Sequence, residues 1–189
     1  MIEDNIARVY ATSLLDIANK NNLIEQISEE LEFVAGLFEE EEDFRSYMNS
    51  PSFSKDMKKN FVKKIFDGKL SEYIVNFINV LVENGRQANI TDINFTFGAL
   101  VDELNNRMRV DVTSTTKLDN GTIENIKSVL KQKFGKDIII NEKTDAAILG
   151  GIIIKAGDLV IDGSLAENLK KIRYNLLNSK VRSEVAYED

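Results

Sequence analysis

The chain of 189 residues contains no cysteine, no histidine and no tryptophan, and its single proline is Pro51. Each gap removes a class of chemistry. Without Cys and His there is no zinc finger, no thiol nucleophile, no Ser-His-Asp triad and no imidazole general base. Disulfides play no part, and none is needed, because a chain of this size buries roughly 70% of its unfolded surface on folding. No apolar run approaches the ~18 residues that read as a membrane-spanning helix. The opening Met1-Ile2-Glu3-Asp4 is acidic and polar, unlike a signal or transit peptide, so the protein is expected to stay in the compartment where it is made.

What is present is 43% hydrophobic and 29% charged, a globular composition with room for one large domain or two small ones. The net charge of −7 is unevenly placed: residues 1–105 hold 19 acids and 10 bases, residues 106–189 hold 12 acids and 14 bases. Binding phosphates needs clustered cations, so an acidic amino-terminal half argues against nucleic acid and anionic lipid as partners. The composition favours a helical protein that binds other proteins.

The first hundred residues read as consecutive amphipathic helices. Ile2, Ile6, Val9, Tyr10, Leu14 and Ile17 recur at three- and four-residue steps, and Lys20-Asn21-Asn22 interrupts them. Ile24, Ile27, Leu31, Val34 and Phe38 form a second stripe that ends in the acidic run Glu39 to Asp43. A short third segment carries Phe44, Tyr47 and Met48 and stops at Asn49-Ser50-Pro51. Ser54 is the expected N-cap of a fourth helix that stops near Gly68. Leu70 to Asn84 is the fifth, apolar around most of its circumference and ended by Gly85. The sixth runs from about Ala88 to Arg107, and Gly98 inside it costs roughly 1 kcal/mol relative to Ala.

After Met108 the period changes. Val110 to Thr115 alternates in steps of two, a strand with one buried face. Asp119 or Asn120 caps a helix carrying Ile123, Ile126, Val129, Leu130 and Phe134, and Gly135-Lys136-Asp137 turns the chain into Ile138-Ile139-Ile140, expected as a short buried strand. Gly151 to Lys155 and Leu159 to Ile161 make a hairpin in which Gly157 supplies a positive φ. Asp162-Gly163-Ser164 offers capping side chains to a last helix, where Leu165, Leu169, Ile172 and Leu176 share a face. The fold class is therefore mostly α with a small α/β part. An amino-terminal six-helix bundle over 1–105 precedes a small α/β domain over 106–180 that contains a hairpin, and 181–189 is a loose tail.

Candidate chemical sites resolve into ordinary structure. Gly150-Gly151 lacks the Gly-Lys-Ser/Thr ending of a P-loop and the spaced glycines of a dinucleotide fingerprint, and it opens a strand, so a tight turn is expected. Asp158 and Asp162, four residues apart along a strand, lie roughly 13 Å from each other, too far to share a metal or to act as a glycosidase pair. They read as a turn residue and a helix cap. The run Glu39 to Asp43 reads as a helix junction, since acids suit the start of the second helix. Lys55, Lys58, Lys59, Lys63 and Lys64 have no aromatics interleaved on their exposed side and read as a solvated face. The fifth helix and helix one, with Ala7, Ala11, Leu14, Leu15 and Ala18, are apolar over more than the arc of a surface helix. Side by side they could form a groove for a partner's amphipathic helix, or both could simply be central in the bundle.

The stretch from Thr144 to Ser164, with Ile148-Leu149-Gly150-Gly151-Ile152-Ile153-Ile154-Lys155-Ala156-Gly157-Asp158 at its centre, is similar to the signature of the delta subunit of F-type ATP synthases, the family of the mitochondrial oligomycin-sensitivity-conferring protein. Ala7-Arg8-Val9-Tyr10-Ala11, Asn49-Ser50-Pro51, Glu83-Asn84-Gly85-Arg86 and Val110-Asp111-Val112-Thr113-Ser114 resemble the family in order and spacing, from residue 6 to about residue 177. The sequence departs from the family pattern at Thr115, at Ala146 after Asp145, and at Leu165-Ala166-Glu167.

The resemblance implies a non-catalytic stator subunit that needs no cofactor and no metal and is present once per complex. Its amino-terminal bundle would bind the amino-terminal helix of an alpha subunit, in a groove lined by Tyr10, Ala11 and Leu14 from helix one and Phe77, Val80 and Leu81 from helix five. Its carboxy-terminal domain would bind the b subunits of the peripheral stalk. The location implied is peripheral, at the cytoplasmic face of a bacterial cell membrane, without insertion. The competing expectation is a phosphate- or nucleotide-binding enzyme using the Gly150-Gly151 region.

Overall fold

The computed structural model describes residues 2–174, and it is mostly helical with a small mixed sheet of four strands. The chain divides into two compact units, Met1–Leu104 and Asn105–Asp189.

The first unit contains α1 (Ile2–Lys20), α2 (Ile24–Glu40), α3 (Glu42–Asn49), α4 (Lys55–Phe66), α5 (Glu72–Glu83) and α6 (Ile90–Leu104). Local chemistry sets their ends. The Ser54 hydroxyl accepts from the Met57 N–H at 3.2 Å and starts α4. The Ser71 hydroxyl accepts from the Ile74 N–H and starts α5, while Ser71 itself donates to the Glu30 carboxylate and so ties α5 to α2. The helix expected from Leu70 therefore begins two residues later. Gly68 and Gly85 take φ of 68° and 65° just past α4 and α5, where a side chain would be strained.

The acidic run is a junction. Glu41 is extended between α2 and α3, and the Arg45 guanidinium donates to the carbonyls of Phe38 and Glu39, both at 2.9 Å. A cation on the last carbonyls of α2 offsets the acids placed at its unfavourable end. α6 is shorter at both ends than its apolar pattern predicts. Its start is held back by a 3₁₀ turn, Gln87–Asn89, where the Gln87 amide donates to the Met48 carbonyl at 3.1 Å. Beyond its end, Asn106 takes a left-handed φ of 51°, which Asn tolerates better than most residues.

One core joins these helices. Ala7, Ala11, Leu14 and Ala18 of α1 are buried in it with Ile27 and Leu31 of α2, Ile74, Ile78 and Leu81 of α5, and Phe97 of α6. α1 and α2 both pack on α6, and α4 packs on α5. The lysine row of α4 is only partly a solvated face: Lys58 is buried, Lys59 pairs with the Glu83 carboxylate, and Lys55 donates to the Glu83 carbonyl at 2.6 Å. Lys63 and Lys64 are exposed.

The second unit is built on the sheet order β2-β1-β3-β4, with β1 (Arg107–Ser114), β2 (Asp137–Thr144), β3 (Ile152–Ala156) and β4 (Leu159–Asp162). β1 and β2 are parallel and joined through α7 (Asn120–Phe134); the other two pairings are antiparallel. Asp119 caps α7, accepting from the N–H and hydroxyl of Thr122 at 2.9 and 2.6 Å, and Gly135 ends it at φ 65°. Val110, Val112, Leu130 and Ala156 form a second, smaller core.

The strand Ile138 to Ile140, expected as short and buried, is neither. β2 is eight residues long and lies at an edge of the sheet, and Ile139 is exposed. Successive side chains alternate between faces, so Ile138 and Ile140 reach the core while Ile139 faces away from it. β3 and β4 form the expected hairpin, with Gly157 at φ 60°. Residues 165–174 are helical, here α8, capped by the buried Ser164, whose hydroxyl accepts from the Glu167 N–H at 3.1 Å. Leu176 and the tail expected over 181–189 lie outside the described residues.

Candidate functional site

The six residues assigned to a groove fall into two groups. Ala11, Leu14 and Leu81 belong to the core of the first unit; Leu14 is 2% exposed, so a partner cannot touch it without opening the helices. Tyr10 and Phe77 are half-buried and meet edge-on, ring centroids 6.3 Å apart and planes at 76°. Val80 is 48% exposed. Tyr10, Phe77 and Val80 are thus the members that solvent reaches.

Three further apolar side chains on the same two helices are exposed: Val9 and Ile17 on α1 and Tyr73 on α5. Tyr73, Phe77 and Val80 follow one another at steps of four and three along α5; on α1, Tyr10 and Ile17 are two turns apart with the buried Leu14 between them. Periodicity alone finds the whole apolar arc and does not say where its buried part ends. The useful signal was breadth: residues at the margin of an arc wider than a core needs are the ones left in solvent.

A second apolar stripe lies in the other unit. Leu165, Leu169 and Ile172 on α8 are each more than half exposed, at steps of four and three. The backbone before this helix is tightly built. Leu149, Gly150 and Gly151 have successive positive φ values of 61°, 151° and 84°. The Leu165 N–H donates to the Gly150 carbonyl at 2.9 Å, and the Gly163 N–H donates to the Ile152 carbonyl at 3.0 Å. Between these two bonds, a Cβ added at Gly151 would sit 2.3 Å from the Gly163 carbonyl oxygen.

The space beside Gly151 is thus taken by the backbone of Gly163 and Ser164. Asp158 is exposed in the hairpin turn, and Asp162 accepts from the Ser164 N–H at 2.9 Å. Hydrogen bonds from Ser164 hold the Asp162 carboxyl below the usual carboxylate range, so it is a turn-forming acceptor rather than an acid catalyst. Asp162 shapes the turn and Ser164 caps α8. On the sheet, Lys143 and Asn141 both bond Asp111 at 2.8 Å and lower its pKa in the same way. Among the described residues no group of three or more acids could hold a metal ion, and no helix is long and apolar enough to cross a membrane.

The sequence profile of the ATP synthase delta (OSCP) subunit matches residues 6–176, most of the chain. The chain belongs to that family. It is 32% identical over 173 residues to the ATP synthase subunit delta of Trichlorobacter lovleyi, covering 91% of this chain and 96% of the relative. To that of Leptospira biflexa it is 33% identical over 178 residues, covering 94% and 95%. A chain in the mitochondrial ATP synthase hexamer of Toxoplasma gondii shares the fold, with a TM-score of 0.67 at 20% identity, covering 94% of this chain and 98% of that one. As a delta (OSCP) subunit the protein is a non-catalytic stator component of the ATP synthase, linked with other subunits of the complex. The reading of Gly150-Gly151 as a nucleotide site is set aside with it: the glycines serve a backbone crossing.

Proposed function

We propose that the first unit acts as a six-helix bundle binding the amino-terminal helix of an alpha subunit across α1 and α5, and that the second unit, from about residue 106, binds the b subunits of the peripheral stalk. One copy per complex, peripheral at the cytoplasmic face of a bacterial cell membrane, then ties the catalytic head to the stalk. It holds the head still while ion flow turns the rotor. Nucleic acid has no part in this reading.

The observation that carries the head contact is the Tyr10–Phe77 contact between α1 and α5, with Val80 and Tyr73 exposed beside Phe77 on α5. Tyr73, Phe77 and Val80 recur at the spacing an amphipathic helix uses to receive another. A torque-bearing link needs affinity and stiffness rather than a reactive group. A Kd near 1 nM corresponds to about −12.3 kcal/mol. A few apolar anchors, each contributing roughly 1.5–3 kcal/mol on full burial, supply a large part of that. The stalk contact is supported by the exposed stripe of α8.

Reconstitution tests the role. Membranes stripped of this subunit should regain ion-driven ATP synthesis when the wild-type protein is added back. Val80→Glu should fail to restore it, while ATP hydrolysis by the detached head is unaffected. Full recovery with Val80→Glu would remove α5 from the head contact.

A further inference from the structure

The glycines at 150, 151 and 163 form one device. Gly151 and Gly163 touch backbone to backbone: an added Cβ at Gly151 would lie 2.3 Å from the Gly163 carbonyl oxygen and 3.1 Å from both the Gly163 carbonyl carbon and the Ser164 Cα. None of these atoms belongs to a flexible side chain, so nothing can swing aside. Gly163 in turn approaches the Ile152 carbonyl oxygen, 3.2 Å from its own ideal Cβ. Gly150 leaves room for the Leu165 side chain, whose Cδ1 would lie 2.8 Å from an added Cβ. The two hydrogen bonds on either side of Gly151 close the crossing. Ser164, the buried N-cap of α8, is the next residue, and Leu165 opens the exposed stripe.

We infer that the Gly151–Gly163 crossing sets the direction in which α8 leaves the sheet, and through it how Leu165, Leu169 and Ile172 are presented to a partner. Gly151 and Gly163 are positioning residues; neither is offered to the partner. The physical argument is stiffness. A helix held to its sheet by an ordinary loop would pivot under load, whereas two backbones in van der Waals contact, bracketed by hydrogen bonds, leave one exit angle. The inference rests on the reading of α8 as the stalk contact only for its functional consequence; the geometry of the exit stands apart from it.

The absence of native cysteine makes the test direct. Glu142→Cys on β2 and Lys170→Cys on α8, both exposed positions, accept a pair of spin labels in the full-length protein. Wild-type glycines should give one narrow distance distribution. Gly151→Ala should broaden or shift it, weaken binding to the soluble part of the same organism's b subunit at least tenfold, and leave binding of the alpha-subunit peptide unchanged. An unaltered distribution in folded Gly151→Ala would overturn the inference. Where Gly151→Ala disrupts the second unit, Gly163→Ala decides: its milder 3.2 Å approach predicts a smaller displacement of the same kind, and unaltered distances would again overturn the inference. Leu169→Glu separates the two claims. If Leu169→Glu binds the b subunit as the wild type does, the stalk reading fails, while the distances still decide the crossing.

Discussion

Tyr10 of α1 and Phe77 of α5 meet edge to face, their ring centroids 6.3 Å apart, at the margin of a core that keeps their neighbours Ala11 and Leu81 fully buried. Edge-to-face pairs of this kind contribute roughly 0.5–1.5 kcal/mol beyond the area they bury. The pair holds α1 and α5 together at the surface, although α1 lies most closely on α6. In the proposed docking, the half-buried outer parts of this pair and the exposed Val80 are what the partner would meet.

Leu14 and Val80 should separate folding from docking. Leu14→Ala empties a fully enclosed position and should destabilise the first unit by about 2–5 kcal/mol. Val80→Glu changes an exposed side chain and should move stability by no more than about 0.5 kcal/mol. The same Val80→Glu protein should lose affinity for an alpha-subunit helix. Urea titrations of both variants check the first part, and equal destabilisation would contradict the surface placement of Val80.

Gly98 lies within α6, and a Cβ added there meets nothing within 4 Å. Its cost as a helical glycine is thus uncompensated by packing within the chain. Gly98→Ala should raise stability by roughly 0.5–1 kcal/mol. A higher urea midpoint at unchanged slope is the expected result; a lower one would show that the site is filled.

Acid should weaken the second unit. Asp111, Asp119, Asp137 and Asp162 all lie there, and each is held below its ordinary pKa by hydrogen bonds, from Lys143, Thr122, Lys131 and Ser164 respectively. A carboxylate with a depressed folded pKa stabilises above the unfolded value and loses that contribution as pH falls through the folded one. Stability of the sheet should therefore decline below about pH 4, where unfolded aspartates begin to hold protons. Amide exchange at pH 5 and pH 3 should show the loss in β1, β2 and α7, and Asp111→Asn should flatten it. Because Asp111 is partly exposed, added salt should also weaken its pairing with Lys143.

Local chemistry was legible in the sequence, and long-range chemistry was not. Ser54, Asp119, Gly85, Gly135 and Gly157 act where their own side chain, or the lack of one, dictates the backbone nearby. Ile139 could not be read so simply, because whether a strand lies at an edge depends on partners far along the chain. The same holds for Lys58, buried among helices whose packing no helical period specifies. The breadth of their apolar arcs left helices one and five open between a groove and the centre of the bundle, the family resemblance supplied the six groove residues, and neither gave the division that buries Leu14 and exposes Val80. Gly150-Gly151 was legible as a turn; its reason, the approach of Gly163, is a contact between residues twelve apart.

Calorimetric titration of the intact protein with a synthetic peptide from the amino terminus of its own organism's alpha subunit tests the central claim most directly. Roughly 20 residues suffice, a helix of about 30 Å. One-to-one binding with a Kd of about 1 μM or tighter, at least −8.2 kcal/mol, and lost in Val80→Glu, is the predicted result. A folded protein that takes up no peptide would contradict the docking of the alpha subunit on α1 and α5.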